Sequence, residues 1–336
     1  MPKTLLITII TILSGILITS GLIAYIYLNK TLNMSQSIII EIELGDNIYS
    51  IADELIENDI VRYKLPFILT ARFLNIAQYI KAGSYSVDTT SSIISILNDF
   101  VSSNQHLYRF RIQEGSTFNE LLISINENDL LNRENLSLEA IKNEINQDLE
   151  TESLEGVFFP ETFFYAKNTP ALEILLQSNE IMANKLSLQW ENRANNLSIE
   201  TPYEALIIAS IIEKEAGVED EKRIISGVIH RRLNLGMKLQ MDPTVYYGIN
   251  KSFTEQLTYD DLINNNEFNT YVINGLPPTP ICLPSETSIH AALNPDESDY
   301  LYFVATGLND GRHIFTSNND DHNRAVEIYR NRIAND

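Results

Sequence analysis

The 336-residue chain has a single cysteine, Cys282, and a single tryptophan, Trp190. A lone cysteine excludes a disulfide within the chain and a cysteine-rich zinc site. Basic residues are also scarce: 24 Lys and Arg stand against 45 Asp and Glu, a net charge of −21. Nucleic-acid binding needs a basic face for phosphates, so no nucleic-acid partner is expected. A glycine-rich phosphate loop, a Gly-X-Ser-X-Gly turn and a His-X-X-X-His pair are all missing, and the five histidines are scattered. No metal, nucleotide or other cofactor is expected.

What is present begins with Leu5 to Leu28, 24 consecutive uncharged and mostly apolar residues. That length spans a bilayer as a helix. It exceeds the apolar core of a signal peptide, and Ile26-Tyr27-Leu28-Asn29-Lys30 does not resemble a cleavage site. We read an uncleaved anchor. Residues 1–4 form a cytoplasmic tail, and the bulk of the chain lies outside the inner membrane, in the periplasm.

After a short polar linker, Ile38 to Leu44 reads as a strand of β-branched residues. Gly45-Asp46 is a turn, and Ile48, Ile51 and Leu55 share one helix face. Lys64 to Ile80 reads as a helix and Ala82 to Val87 as a returning strand. The words Gly45 to Ala52, GDNIYSIA, resemble the start of LysM modules, which bind N-acetylglucosamine-containing glycans. A spacer without a ligand is the alternative. Arg111 to Leu130 echoes Glu41 to Ile60 at an offset of 70 residues, as a second strand–glycine–helix unit. Residues 131–150 read as polar, mobile helix and loop at a lobe boundary.

The stretch that organises the rest is Thr201 to Lys222. Thr201 suits an N-cap, Pro202 the first helical position, and Glu204 the reciprocal capping site. At 100° per residue from Ile207, Ile211 falls at about 40°, Ile208 at about 100° and Ile212 at about 140°. Glu215 falls at about 80°, inside the apolar stripe, and Glu213 at about 240°, on the far side. Glu213 is then an ordinary solvated charge. Glu215 is aimed where a carboxylate is costly, and a desolvated carboxyl with a raised pKa suits general-acid work. The alternative is a helix that ends near Lys214 and leaves Glu215 a terminal charge; Ala216-Gly217 is a stop signal that suits it.

Three further segments carry polar groups beside rings. Leu154 to Tyr165 is rich in phenylalanine around Pro160, with Glu155 and Glu161 as polar exceptions. Lys238 to Gly248, turning at Asp242-Pro243, supplies Gln240, Asp242, Thr244 and two tyrosines. Phe268 to Ser285 is a proline-rich loop with Asn269, Thr270 and Tyr271. Rings that stack on sugar faces and hydrogen-bonding side chains together suit carbohydrate, while core packing is the better reading for most of the phenylalanines of Leu154 to Tyr165. The tail reads as a hairpin across Asn309-Asp310-Gly311 and a helix from about His322.

Taken together, ASIIEKEAG, HRRLNLGMKLQMDPTVYYG, EGVFFPETFFY, NTYVINGLPP and YLYFVATGLNDGRHIFT resemble the endolytic transglycosylase family, YceG-like or MltG. The likeness runs from the anchor to the C-terminus. It implies an α+β fold: an N-terminal transmembrane helix at 5–28, a small LysM-like α/β membrane-proximal domain at 37–105 and a larger mixed α+β catalytic domain at 106–336. It implies a lyase that cuts nascent peptidoglycan glycan strands internally, between N-acetylmuramic acid and N-acetylglucosamine. The products are 1,6-anhydro-muramic acid ends, and elongation stops beside penicillin-binding synthases. The family's catalytic glutamate is the second of the Glu-Lys-Glu word, which falls on Glu215. Gln240, Asp242, Thr244, Asn269, Tyr271 and Glu155 are the expected substrate-binding residues. A muramidase-type hydrolase pairing Glu215 with Asp242 or Glu155, or a wall-binding scaffold without catalysis, are the alternatives.

Overall fold

The computed structural model describes residues 3–32, 34–102, 104–134, 136–145 and 153–334. Met1 and Pro2 of the expected cytoplasmic tail, and 146–150 of the expected boundary segment, lie outside them. The chain divides into two compact units: Met1–Arg109 with Phe164–Asn168, and Phe110–Phe163 with Thr169–Asp336. It mixes helix and strand throughout.

The first unit opens with α1 (Lys3–Asn29), which includes a 23-residue apolar helix, Ile7–Asn29, long enough to cross a membrane. It continues with β1 (Ile38–Ile42), α2 (Ile48–Glu57), α3 (Lys64–Phe73), β2 (Gly83–Val87) and α4 (Ile93–Val101). β1 and β2 pair antiparallel, with Ile40 opposite Tyr85. Both strands present their buried side chains to a core shared with α2, α3 and α4. Asn47 and Ser92 cap α2 and α4 with reciprocal side-chain bonds, which fixes where each helix begins. α3 stops at Phe73, short of the Ile80 expected, because Asn75 adopts a left-handed φ of 55° and Ile76 N–H turns back to Ala71 C=O at 3.0 Å. Nor is the segment after the anchor a free linker: Leu28, Leu32 and Met34 pack against this core, and Leu32 N–H donates to Ser91 C=O at 2.8 Å.

β3 (Tyr108–Arg111) and β4 (Thr162–Tyr165) form a second two-stranded sheet. Between them lie α5 (Phe118–Asn126) and α6 (Leu138–Glu144). The 70-residue echo is structural: β1–α2 and β3–α5 each run strand, positive-φ glycine (Gly45, Gly115), capping box, helix. After β4 come α7 (Ala171–Glu191), α8 (Pro202–Glu215), α9 (Lys222–Asn234), α10 (Asp242–Gly248), α11 (Tyr259–Leu262), α12 (Glu286–Leu293), β5 (Tyr302–Ala305), β6 (His313–Thr316) and α13 (Asn319–Ile333).

Within the second unit α8 is the central rod, packed by α7, α9, α10 and α12. Every residue from Ala205 to Ile212 is buried, so the one-sided stripe expected from the sequence is a helix buried all round. β5 and β6 form the expected hairpin, with Asn309 and Gly311 at positive φ, and α13 packs on it from its Asn318 cap.

Candidate active site

Thr201 Oγ1 accepts from Glu204 N–H at 3.2 Å, and Glu204 Oε2 accepts from Thr201 N–H at 3.0 Å. With Pro202 at the first position, this cap fixes the start of α8 and hence the angle of every later side chain. The last helical residue is Glu215; Ala216 leaves the helix at ψ 113° while its N–H still reaches Ile212 C=O at 2.9 Å. The negative end of the helix therefore lies at Glu215 and further disfavours a charged carboxylate there. Just beyond, Gly217 meets Gly311 of the β5–β6 turn so closely that a Cβ would lie 2.2 Å from Gly311 O.

Glu215 is half-buried, and its pKa is pushed up to about 8. Burial is the largest cause, the negative charge of Asp242 adds to it, and the Arg232 guanidinium opposes it. Asp242 opens α10, and the expected turn at Asp242-Pro243 is in fact the first turn of that helix, where proline costs nothing. Tyr271 Oη donates to Asp242 Oδ1 at 2.5 Å. Glu215, Asp242 and Tyr271 thus form one electrostatic group.

Two loops supply it, and they are stitched together. Gln240 N–H donates to Thr270 C=O at 3.1 Å, Met241 N–H to Thr270 Oγ1 at 2.9 Å, and Lys238 Nζ to Tyr271 C=O at 3.0 Å. Gln240 is exposed and holds a φ of 52°, a strained setting for a side chain of its size. Thr244 and Asn269 are 0% exposed. Thr244 Oγ1 donates to Met241 C=O at 2.7 Å, and the Asn269 amide donates to Leu262 and Asn264 carbonyls while its oxygen accepts from Tyr271 N–H. Both hold the loops in shape.

Glu155 meets α10 further along, at Tyr247. It is buried, and its two oxygens accept from Phe118 N–H at 2.9 Å and Tyr247 Oη at 3.1 Å. Burial, the largest cause, raises its pKa to about 7 against those bonds.

Glu213 overturns the expectation of a solvated charge. Its Oε2 accepts from Ser285 N–H at 3.0 Å, from Ser285 Oγ, from Ser288 Oγ at 2.6 Å and from Lys222 Nζ at 3.3 Å. Burial pushes its pKa up, but the serine bonds and the Lys222 charge outweigh it, and the net direction is down. The angular reading failed because α12 covers the face assumed to meet water.

Arg232 was not singled out in the sequence. It is buried, with Nε on Leu301 C=O at 2.7 Å and Nη1 on Leu239 C=O at 2.5 Å. The signal was available: from Ile225 it falls at about 340°, between Val228 and Ile229 on the apolar face of α9. Among the described residues, no group of three or more His, Cys, Asp or Glu could hold a metal ion.

A YceG-like family model matches residues 40–328, most of the chain. The chain belongs to the YceG-like family. It is 27% identical over 309 residues to the endolytic murein transglycosylase of Bacillus subtilis (strain 168), covering 86% of this chain and 84% of that protein. It is 26% identical over 360 residues to the endolytic murein transglycosylase of Streptococcus pneumoniae (strain R6), covering 96% of this chain but only 64% of the pneumococcal protein. A crystal structure of a YceG-like protein from Listeria monocytogenes is similar at a TM-score of 0.53 and 26% identity, over 86% of this chain and 99% of that one.

Proposed function

We propose that this member of the family is a lytic transglycosylase, a lyase that cleaves peptidoglycan strands internally with Glu215 as its acid and base. The observation that carries the reading is the raised pKa of Glu215 beside Asp242, where the Lys238–Gly248 and Phe268–Ser285 segments are bonded together. Two relatives that bear the name endolytic murein transglycosylase support the substrate class.

Protonated at neutral pH, Glu215 donates its proton to the glycosidic oxygen between N-acetylmuramic acid and N-acetylglucosamine as that bond breaks. The carboxylate left behind takes the proton of the muramic acid C6 hydroxyl, whose oxygen closes on the anomeric carbon. One C–O bond breaks, one forms, and no water is consumed. Asp242 keeps Glu215 protonated beforehand and offers negative charge to the positive charge developing at the anomeric carbon. Tyr271 orients Asp242, and Arg232 limits the shift so that Glu215 can hold charge after the transfer. Gln240 and Tyr271 contact the sugar, with Thr244 and Asn269 shaping the loops behind them. The glycan-binding role of the LysM-like lobe, the placement of both units on the outer side of the membrane and a penicillin-binding synthase partner belong to the same reading.

Asp242 also keeps a second reading in view, since glycoside hydrolases use two carboxyls, the second as nucleophile or water activator. The ends of the products decide. Purified peptidoglycan digested by the full chain should yield 1,6-anhydro ends by mass spectrometry. Reducing ends would make it a hydrolase, and intact strands a scaffold.

A further inference from the structure

From Ile60 to Val87 the chain has no acidic residue in 28 positions, yet it carries Arg62, Lys64, Arg72 and Lys81. In a chain with nearly two acids per base this run stands apart. α3 lies within it and is apolar on two faces. Phe67, Ile68 and Ala71 enter the core, while Leu65, Leu69 and Phe73, four residues apart and so aligned along the helix, are 64%, 56% and 90% exposed. Tyr63, Leu74 and Tyr79 extend the exposed apolar surface. Lys64 is balanced by Asp53, and Arg72 lies over the Tyr49 ring with its guanidinium on Tyr49 Oη at 2.6 Å, charge still outward.

A soluble domain rarely leaves so contiguous a stripe in water. The occupant is indicated by the anchor. Leu28, in the last turn of α1, packs with Leu32 and Met34 on the same core that receives Phe67, Ile68 and Ala71. The lobe is therefore tied to the exit point of the apolar helix without slack. An exposed aliphatic and aromatic helix face, flanked by tyrosines and cations at and beyond the helix ends, is the composition of an interfacial membrane helix. Cations held at that level lie within about a Debye length, ~10 Å, of anionic headgroups.

We infer that the Leu65–Leu69–Phe73 face of α3 is a second membrane contact, seated in the headgroup region of an anionic bilayer beside the α1 anchor. The inference rests on α1 spanning the membrane.

The test uses the full chain with Phe73→Cys carrying an environment-sensitive fluorophore; the native Cys282 is buried and stays unlabelled. The protein is placed in nanodiscs of phosphatidylglycerol and phosphatidylcholine, with and without lipid spin-labelled near the headgroup. Expected are blue-shifted emission, several-fold quenching by the spin-labelled lipid and protection from iodide. Leu65→Asp with Leu69→Asp should abolish all three while the chain remains in the disc. Full iodide access without lipid quenching would overturn the inference and leave the face to a protein partner. Protection that needs two chains per disc and shows no lipid quenching would overturn it in favour of a second copy. A chain that never enters the disc would contradict the anchor itself, and entry without quenching the α3 contact alone.

Discussion

Glu213 and Glu215 stand two residues apart on α8 and are driven in opposite directions: two serines and Lys222 hold Glu213 charged, while burial and Asp242 hold Glu215 neutral. Replacing each should therefore change stability with opposite sign.

For Glu215, the folded pKa of about 8 lies above the ordinary carboxyl value of 4.5. The folded state binds the extra proton, so stability falls as pH rises from about 4.5 to about 8. Glu215→Gln removes that cost. At pH 8 the variant should be more stable than the parent by on the order of 1–3 kcal/mol, a fraction of the roughly 1.4 kcal/mol per pKa unit because the residue is partly exposed. At pH 4 the two should melt together. Urea titrations at both pH values check it.

For Glu213 the sign reverses. Its lowered pKa gives stability that is present above pH 4.5 and lost as pH falls through the folded value. Glu213→Ala leaves Lys222, Ser285 and Ser288 without their common acceptor and should cost about 3 kcal/mol at pH 7. The difference from the parent should shrink in acid, as seen in denaturation midpoints.

Asp242→Asn should move the pH profile. Without the Asp242 charge the pKa of Glu215 falls, and the alkaline limb of activity, set near pH 8 by Glu215, should shift toward acid. An unmoved limb in kcat/KM would separate Asp242 from Glu215.

Gly217→Ala tests the seam just beyond α8. Its Cβ would lie 2.2 Å from Gly311 O, and the backbone on both sides must give. A loss of about 1–3 kcal/mol is expected. A variant as stable as the parent in thermal unfolding would contradict that packing.

Much of this was legible in the sequence because it is local. The capping box at Thr201, the stop after Glu215, the Asn309–Gly311 turn and the paired strand–glycine–helix units are written in short words whose geometry the backbone must follow. The burial that raises the pKa of Glu215 was visible as an angle on a helix. Whatever depends on a distant covering element was not. Glu213 looked solvated because nothing near it in the chain announces α12. Thr244 and Asn269 carry the right groups for a sugar, but their own loops take those groups up. Arg232 escaped notice because a cation at the end of an amphipathic helix usually meets water.

The proposed mechanism has Glu215 move the proton while other groups hold the strand. Glu215→Gln should bind purified glycan strands as the parent does and yield no anhydro-ended fragments by mass spectrometry. Anhydro-ended fragments at the parent's yield would contradict it.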